Sequence, residues 1–225
     1  MQNKTFISSM VGVAAAVAVA GSAMAAVVDP FTDASSVSSG ASSGSYISSG
    51  NTAISGGLWN NRVTKVFTSS NLRATSNVSV TGGSLVFSVT QVGSSQSANQ
   101  KGLVEYSNVP AGVGPDFSNF TSLTFDYNST FNFGVRVHID GMTSNFLEQT
   151  GVTAGNGTLT FTRAQFNFDG TETDVPSMWV EFFRQGSNAS GSLTVTNLSA
   201  NGVPAPGAIA LLGAAGLIGA RRRRA

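Results

Sequence analysis

The sequence predicts an all-β fold of two antiparallel sheets packed face to face. Three observations lead there. Apolar and polar residues alternate with a period of two through most of the middle of the chain, as strands with one buried face do. Only 10% of residues are charged while Ser, Thr, Asn and Gly abound, a composition of strands and turns rather than of soluble helices. Between the two ends, no segment carries a convincing amphipathic helical pattern.

The strands follow in order. Residues 84–91 place Leu85, Phe87 and Val89 on one face. Residues 122–128 put Leu123, Phe125 and Tyr127 inward, with Thr124 and Asp126 outward. In residues 131–140, Phe133, Val135, Val137 and Ile139 face inward and Arg136, His138 and Asp140 share the other face. Residues 158–162 repeat the pattern with Leu159 and Phe161. Residues 178–184 are apolar on both faces near their middle, which predicts a central strand and assigns Trp179 to the core. Residues 192–198 close the domain. Shorter candidates at 27–31, 63–67, 74–80 and 102–107 bring the number to nine or ten strands. Residues 81–83 and 128–130 read as hairpin turns. The Ser/Gly-rich stretch 35–57 has little hydrophobic content and reads as a flexible loop. The absence of a fixed-period repeat argues against solenoids and propellers.

The ends have a different character. Lys4 precedes a mostly apolar run over residues 6–19, and Ala23-Met24-Ala25 supplies the small-x-small pattern of a signal-peptidase site, so residues 1–25 read as a secretion signal cleaved after Ala25. At the other end, Val203-Pro204-Ala205-Pro206-Gly207 leads into the uncharged run AIALLGAAGLIGA, then Arg221, Arg222, Arg223 and Arg224. The apolar run has 13 residues, or 18 counted from Val203, against the ~20 that span a bilayer as a helix. Four arginines resist translocation and hold the terminus inside. The ends therefore frame one domain over residues 26–202, exported and then stopped at a short hydrophobic helix, 207–220.

The domain carries seven basic and all eleven acidic residues, a net charge of −4. A nucleic-acid partner is disfavoured, since phosphate binding needs a basic face. There is no cysteine, so disulfides and thiol nucleophiles are excluded. A single histidine cannot build a multi-histidine metal site, and no HExxH, G-x-S-x-G or P-loop occurs.

Residues 203–225 resemble the PEP-CTERM sorting signal: a Val-Pro-x-Pro motif, a short hydrophobic helix and a terminal arginine cluster. The family usually has Glu where this chain has Ala205. The resemblance implies an exosortase-type processing enzyme that cuts near residues 203–206, a transient membrane anchor, and release to the surface or extracellular matrix of a polysaccharide-producing bacterium. The domain itself, opening on Asp29-Pro30-Phe31-Thr32-Asp33 and ending on the strand at 191–202, resembles in strand rhythm the jelly-roll sandwiches of galactose-binding-like and carbohydrate-binding modules, whose first and last strands meet. That resemblance implies a non-catalytic domain with extracellular polysaccharide as a partner.

Sugars have apolar faces edged with hydroxyls, so their sites pair an aromatic plate with Arg, Asp or Asn. Trp59 with Arg62, and the Arg136/His138/Asp140 face, are the candidates. The other reading of the first pair is structural: Trp59 packs at the sandwich edge and Arg62 satisfies a buried carboxylate or carbonyl. A triad on His138 lacks a marked nucleophile. Asp126, Asp140, Glu105 and Glu181 are strand acids from which a glycosidase pair could be drawn, or ordinary cross-strand partners of Arg136 and Arg184. Asp169, Glu172 and Asp174 form an acidic loop that could hold a structural calcium through oxygen ligands, or be a solvated turn. No other cofactor is expected.

Overall fold

The computed structural model describes residues 25–39, 45–68, 74–91, 100–108, 113–186 and 190–205. The leader through Met24, which includes Ala23, and the tail from Pro206 onward, which includes Gly207, the 207–220 segment and Arg221, Arg222, Arg223 and Arg224, lie outside the described residues. Among the described residues thirteen strands run in order: β1 (Ala26–Val27), β2 (Ser35–Ser39), β3 (Tyr46–Ala53), β4 (Asn61–Phe67), β5 (Ala74–Thr81), β6 (Ser84–Gln91), β7 (Lys101–Ser107), β8 (Ser122–Ser129), β9 (Phe133–Ile139), β10 (Leu147–Val152), β11 (Gly155–Thr162), β12 (Ser177–Arg184) and β13 (Gly191–Asn201). The single short helix among the described residues is a 3-10 turn, Arg163–Gln165, and no described helix is long and apolar enough to cross a membrane.

All pairings are antiparallel. One sheet has the order β11-β8-β13-β6-β5-β2, with β1 also paired to β13; the other has the order β10-β9-β12-β7-β4-β3. Together they form a jelly-roll β-sandwich in which the first and last strands meet, Ala26 opposite Ala200. The period-two pattern dictates this architecture because each strand buries one face. Leu85, Phe87, Val89, Leu123, Phe125 and Phe161 line the inner face of the seven-stranded sheet. Phe133, Val135, Val137, Ile139, Val180 and Phe182 line that of the six-stranded sheet. Phe125 meets Phe182 across the interface, ring edge to ring face at 5.7 Å. Each such side chain contributes roughly 1.5–3 kcal/mol through burial.

The β5–β6 hairpin is closed by Gly82 and Gly83, both with positive φ, as the 81–83 turn requires. Residues 128–130 behave differently. Strand β8 lies in the seven-stranded sheet and β9 in the six-stranded one, so this connection crosses between sheets and is not a hairpin. The stretch 35–57 also departs from the expected loop, because it contains β2 and β3. These edge strands are held by register with β5 and β4 and need little apolar content of their own. Val37 is buried, and Ser39 sits inside, its hydroxyl donating to that of Thr68.

Candidate functional site

Trp59 and Arg62 lie in the core, which removes them as a sugar site. Trp59 is 1% exposed; its Nε1 donates to the Val175 carbonyl at 3.1 Å and its ring packs on Tyr106 and Phe117. Arg62 occupies an inward position of β4 and is 0% exposed. Its Nη1 meets Asp29 Oδ2 at 2.6 Å, and its Nη2 donates to the Asp33 carbonyl. Asp29 Oδ1 accepts the Phe31 amide, so the buried carboxylate is satisfied on both oxygens. The structural reading of this pair therefore describes it.

Arg136, His138 and Asp140 project from the outer face of the six-stranded sheet. There they meet side chains that the sequence had assigned elsewhere. Trp179 is not in the core: β12 is central, but its odd positions Trp179, Glu181 and Phe183 point outward. The register sets Trp179 opposite His138 on one side and Glu105 on the other, and Glu181 opposite Arg136. The His138 and Trp179 rings stack at 5.5 Å with 19° between planes, and Phe146 approaches Trp179 at 6.2 Å. Arg136 is held between two rings, its guanidinium carbon 4.9 Å from the centre of Phe146 and 4.8 Å from that of Phe183. Phe183 lies flat enough over β9 to occupy the space a side chain at Gly134 would need.

Glu181 is the hub. Its side chain is 7% exposed; Oε1 takes Arg136 Nη1 at 3.0 Å and Lys101 Nζ at 3.4 Å, and Oε2 accepts the Tyr46 hydroxyl. Arg136 Nε also meets Glu148 at 2.5 Å, and Lys65 pairs with Glu105. Asp140 accepts His138 Nε2 at 3.1 Å, in the tautomer that protonates that nitrogen, and the Ser177 hydroxyl at 2.6 Å. Burial, reinforced by the hydrogen bond to Glu181, pushes the Tyr46 hydroxyl well above the ordinary tyrosine value. Hydrogen bonds to two carboxylates and the charge of Glu181 raise Arg136 against the opposing effect of burial. Tyr46, on edge strand β3, and Phe146, just before the opposite edge strand β10, are among the few exposed large hydrophobic residues and bracket the face.

Trp179 is misassigned by periodicity and Phe183 is left unassigned, whereas Glu181 meets Arg136 as the cross-strand partner the sequence allows. Their signal was present as a Trp-x-Glu-x-Phe alternation facing an Arg-x-His-x-Asp alternation, but only strand pairing reveals that the two share a surface.

The acidic loop does not gather around a common point. Asp169 accepts the Thr171 hydroxyl and amide, which hold its carboxyl below the ordinary aspartate value. Glu172 is buried and takes Arg163 Nη2 at 2.6 Å. Asp174 accepts the Gly114 amide. Among the described residues, no group of three acidic or histidine side chains is placed to hold a metal ion. Of the terminal signals, Ala25 is exposed, Val203 is buried at 1% exposure, and Pro204 is exposed. Two shallow concavities lie away from the aromatic face, one beside Val27 and Asn197, the other between Leu58 and Pro115.

No family model and no curated protein matches the chain. Among solved structures, it is similar to a family 11 carbohydrate-binding module from Clostridium thermocellum in complex with a β-1,3-1,4-mixed-linked tetrasaccharide: 18% identity, 62% of this chain, 88% of that one, TM-score 0.36. It is also similar to a family 11 module of a cellulosomal cellulase of Clostridium thermocellum, at 17% identity over 80% of this chain and 95% of that one, TM-score 0.39. A family 29 module complexed with mannohexaose follows at 12% identity, 56% of this chain and 75% of that one, TM-score 0.34.

Proposed function

We propose that the chain is an exported, non-catalytic protein of the bacterial surface or matrix whose six-stranded sheet binds an uncharged polysaccharide on its outer face. One observation carries this reading: rings and hydrogen-bonding groups are interleaved on an open surface, with the cations already neutralised. Trp179, Phe146, Phe183 and Tyr46 offer apolar plates to sugar rings, and Arg136, Asp140 and Lys101 offer donors and acceptors to their hydroxyls between them, with Glu181 holding Arg136 and Lys101 in place from beneath. Arg136, Lys101 and Lys65 each pair with a carboxylate, and Glu105, Asp140, Glu148 and Glu181 outnumber them. A polyanionic chain finds no spare positive charge here, whereas a neutral one loses nothing to repulsion.

The secretion signal and the tail support delivery to the exterior, with an exosortase-type enzyme removing the tail and membrane attachment lasting until then. The first strand begins at Ala26, the residue that follows the expected signal cleavage. Affinity electrophoresis of the purified protein in gels containing neutral or acidic polysaccharides tests the binding. Retardation by a neutral glycan that is lost in Trp179→Ala is expected. No retardation by any polysaccharide leaves a purely structural matrix role, and release of reducing sugar would point to a glycoside hydrolase. Mass spectrometry of the mature protein tests the sorting: a C-terminus still ending in Arg221–Ala225 refutes it.

A further inference from the structure

We propose that Arg184 forms an anion-binding site at one end of the sandwich, in which the Nε–Nη2 edge of its guanidinium takes an oxyanion (a carboxylate, sulfate or phosphate group) in a bidentate pair. Arg184 is the last residue of β12, on the inward side of the strand, and is 6% exposed. Its Nη1 is fixed by two neutral acceptors, Gln91 Oε1 at 3.1 Å and Gln100 Oε1 at 3.2 Å. Its Nε and Nη2 are shielded from solvent and have no hydrogen-bond partner, and neither does Nε2 of Gln100, whose Oε1 accepts from Nη1. Three buried donors on two touching side chains lack an acceptor among the described residues, and one of those side chains cannot lose its charge.

The described residues have no countercharge to offer. The other described basic residues, Arg62, Lys65, Lys101, Arg136 and Arg163, each lie within 4 Å of a carboxylate; among the described residues Arg184 alone does not. All eleven acidic residues of the chain are described and each is engaged elsewhere. Segments 92–99 and 187–189, next in the chain to Gln91, Gln100 and Arg184, contain no Asp or Glu. Burial lowers the Arg184 pKa with no nearby carboxylate to offset it. The missing acceptor is therefore absent from the described residues and is supplied, in the proposed site, by an external oxyanion. Two parallel N–H groups on one guanidinium edge match two oxygens of an oxyanion and suit a single chloride less well. This site is separate from the aromatic face, since Arg184 points inward where Phe183 points outward.

The test is thermal unfolding of the full protein at constant ionic strength, with chloride replaced stepwise by sulfate, phosphate, acetate or glucuronate. The inorganic and carboxylate arms separate a mineral anion from a sugar acid. At least one oxyanion is expected to raise the midpoint saturably by roughly 2–4 °C. Arg184→Met is expected to abolish that shift, and Arg184→Lys to weaken it by losing the fork. Gln100→Glu supplies an internal carboxylate; it is expected to raise the midpoint in chloride and to erase the response to oxyanions. Should Arg184→Met fail to fold, Gln100→Glu alone decides. The proposal is overturned if the wild-type midpoint is the same in every anion, or if the anion shift persists in Gln100→Glu or Arg184→Met.

Discussion

The two outer faces of the sandwich are built from the same kind of strand yet carry opposite chemistry. The seven-stranded sheet presents Thr158, Thr160 and Thr162 on β11, Ser122, Thr124 and Asp126 on β8, and Thr194 and Thr196 on β13, in register across the strands. Its cross-strand contacts are between short polar groups: Thr158 and Asn197 donate to Asp126, and Thr124 bonds to Ser199. Each group hydrogen-bonds water as well as it does its neighbour, so these pairs contribute little. The six-stranded sheet presents stacked rings, one sandwiched cation, Arg136, and a nearly buried carboxylate. Long charged side chains ordered in this way cost conformational entropy, and a merely solvated face has no use for them. The contrast is between a face of short polar groups and a face of ordered rings and ion pairs, the one proposed above to bind.

That contrast can be broken most sharply at Glu181. Glu181→Ala strips Lys101 of its carboxylate and Arg136 of one of its two, and is expected to cost about 2–3 kcal/mol of unfolding free energy in urea titration. A cost under about 0.5 kcal/mol would reduce the network to surface decoration. Next comes Trp179→Ala, which is expected to weaken polysaccharide binding about 10- to 30-fold in affinity electrophoresis, or about 1.4–2 kcal/mol. Thr158→Ala with Thr160→Ala on the other face is expected to leave binding unchanged; equal losses from the two variants would erase the distinction between faces.

The faces also respond to opposite ends of the pH scale. Folding raises the Tyr46 pKa above its ordinary value of 10.0, so the folded state retains a proton that the unfolded chain releases. Stability from Tyr46 is full below about pH 10 and is lost as pH rises beyond it. Tyr46→Phe is expected to make the alkaline fall shallower, leaving the part due to Tyr106, whose pKa is raised chiefly by burial. Asp126 on the other face is lowered by its bonds from Asn197 and Thr158, so its contribution is present above an ordinary value of 3.8 and fades as pH falls through the folded pKa. Asp126→Asn is expected to flatten the acid limb slightly and to change stability at pH 7 by no more than about 0.5 kcal/mol. Urea titrations across pH measure both limbs.

Periodicity made the inward half of the sandwich legible, because Phe87, Phe125, Phe133 and Val137 alternate with polar neighbours and each lands in the core. It failed where burial is not what holds a strand. Residues 35–57 contain one buried apolar strand position, Val37, and fold as edge strands through backbone pairing and scattered polar contacts such as Ser39 to Thr68, which leave no periodic apolar pattern to read. Strand β10, Leu147–Val152, is polar at an edge and interrupted by a bulge, and was missed for the same reason. Trp179 and Phe183 look like core residues because an aromatic side chain kept on an outer face has the composition of an interior one; only the parity fixed by β9 separates them. Arg136, His138 and Asp140 were found because charge on alternate positions has a single reading. Trp59 and Arg62 misled because a Trp and an Arg after a Ser/Gly-rich stretch look the same whether the segment that follows turns outward or, as here, inward.

The placement of β13 has a mechanical meaning. It is a central strand, bonded to β8 along one side and to β6 and then β1 along the other, and the chain leaves it through Val203, which is seated in the core. Any pull applied beyond Val203 enters the domain along the axis of this strand, at right angles to its hydrogen bonds. The ladders are then loaded in shear, many bonds at once, and do not open one by one like a zip. Under the binding proposed above, tension from a polysaccharide on the opposite sheet would reach this one strand through the aromatic interface between the sheets.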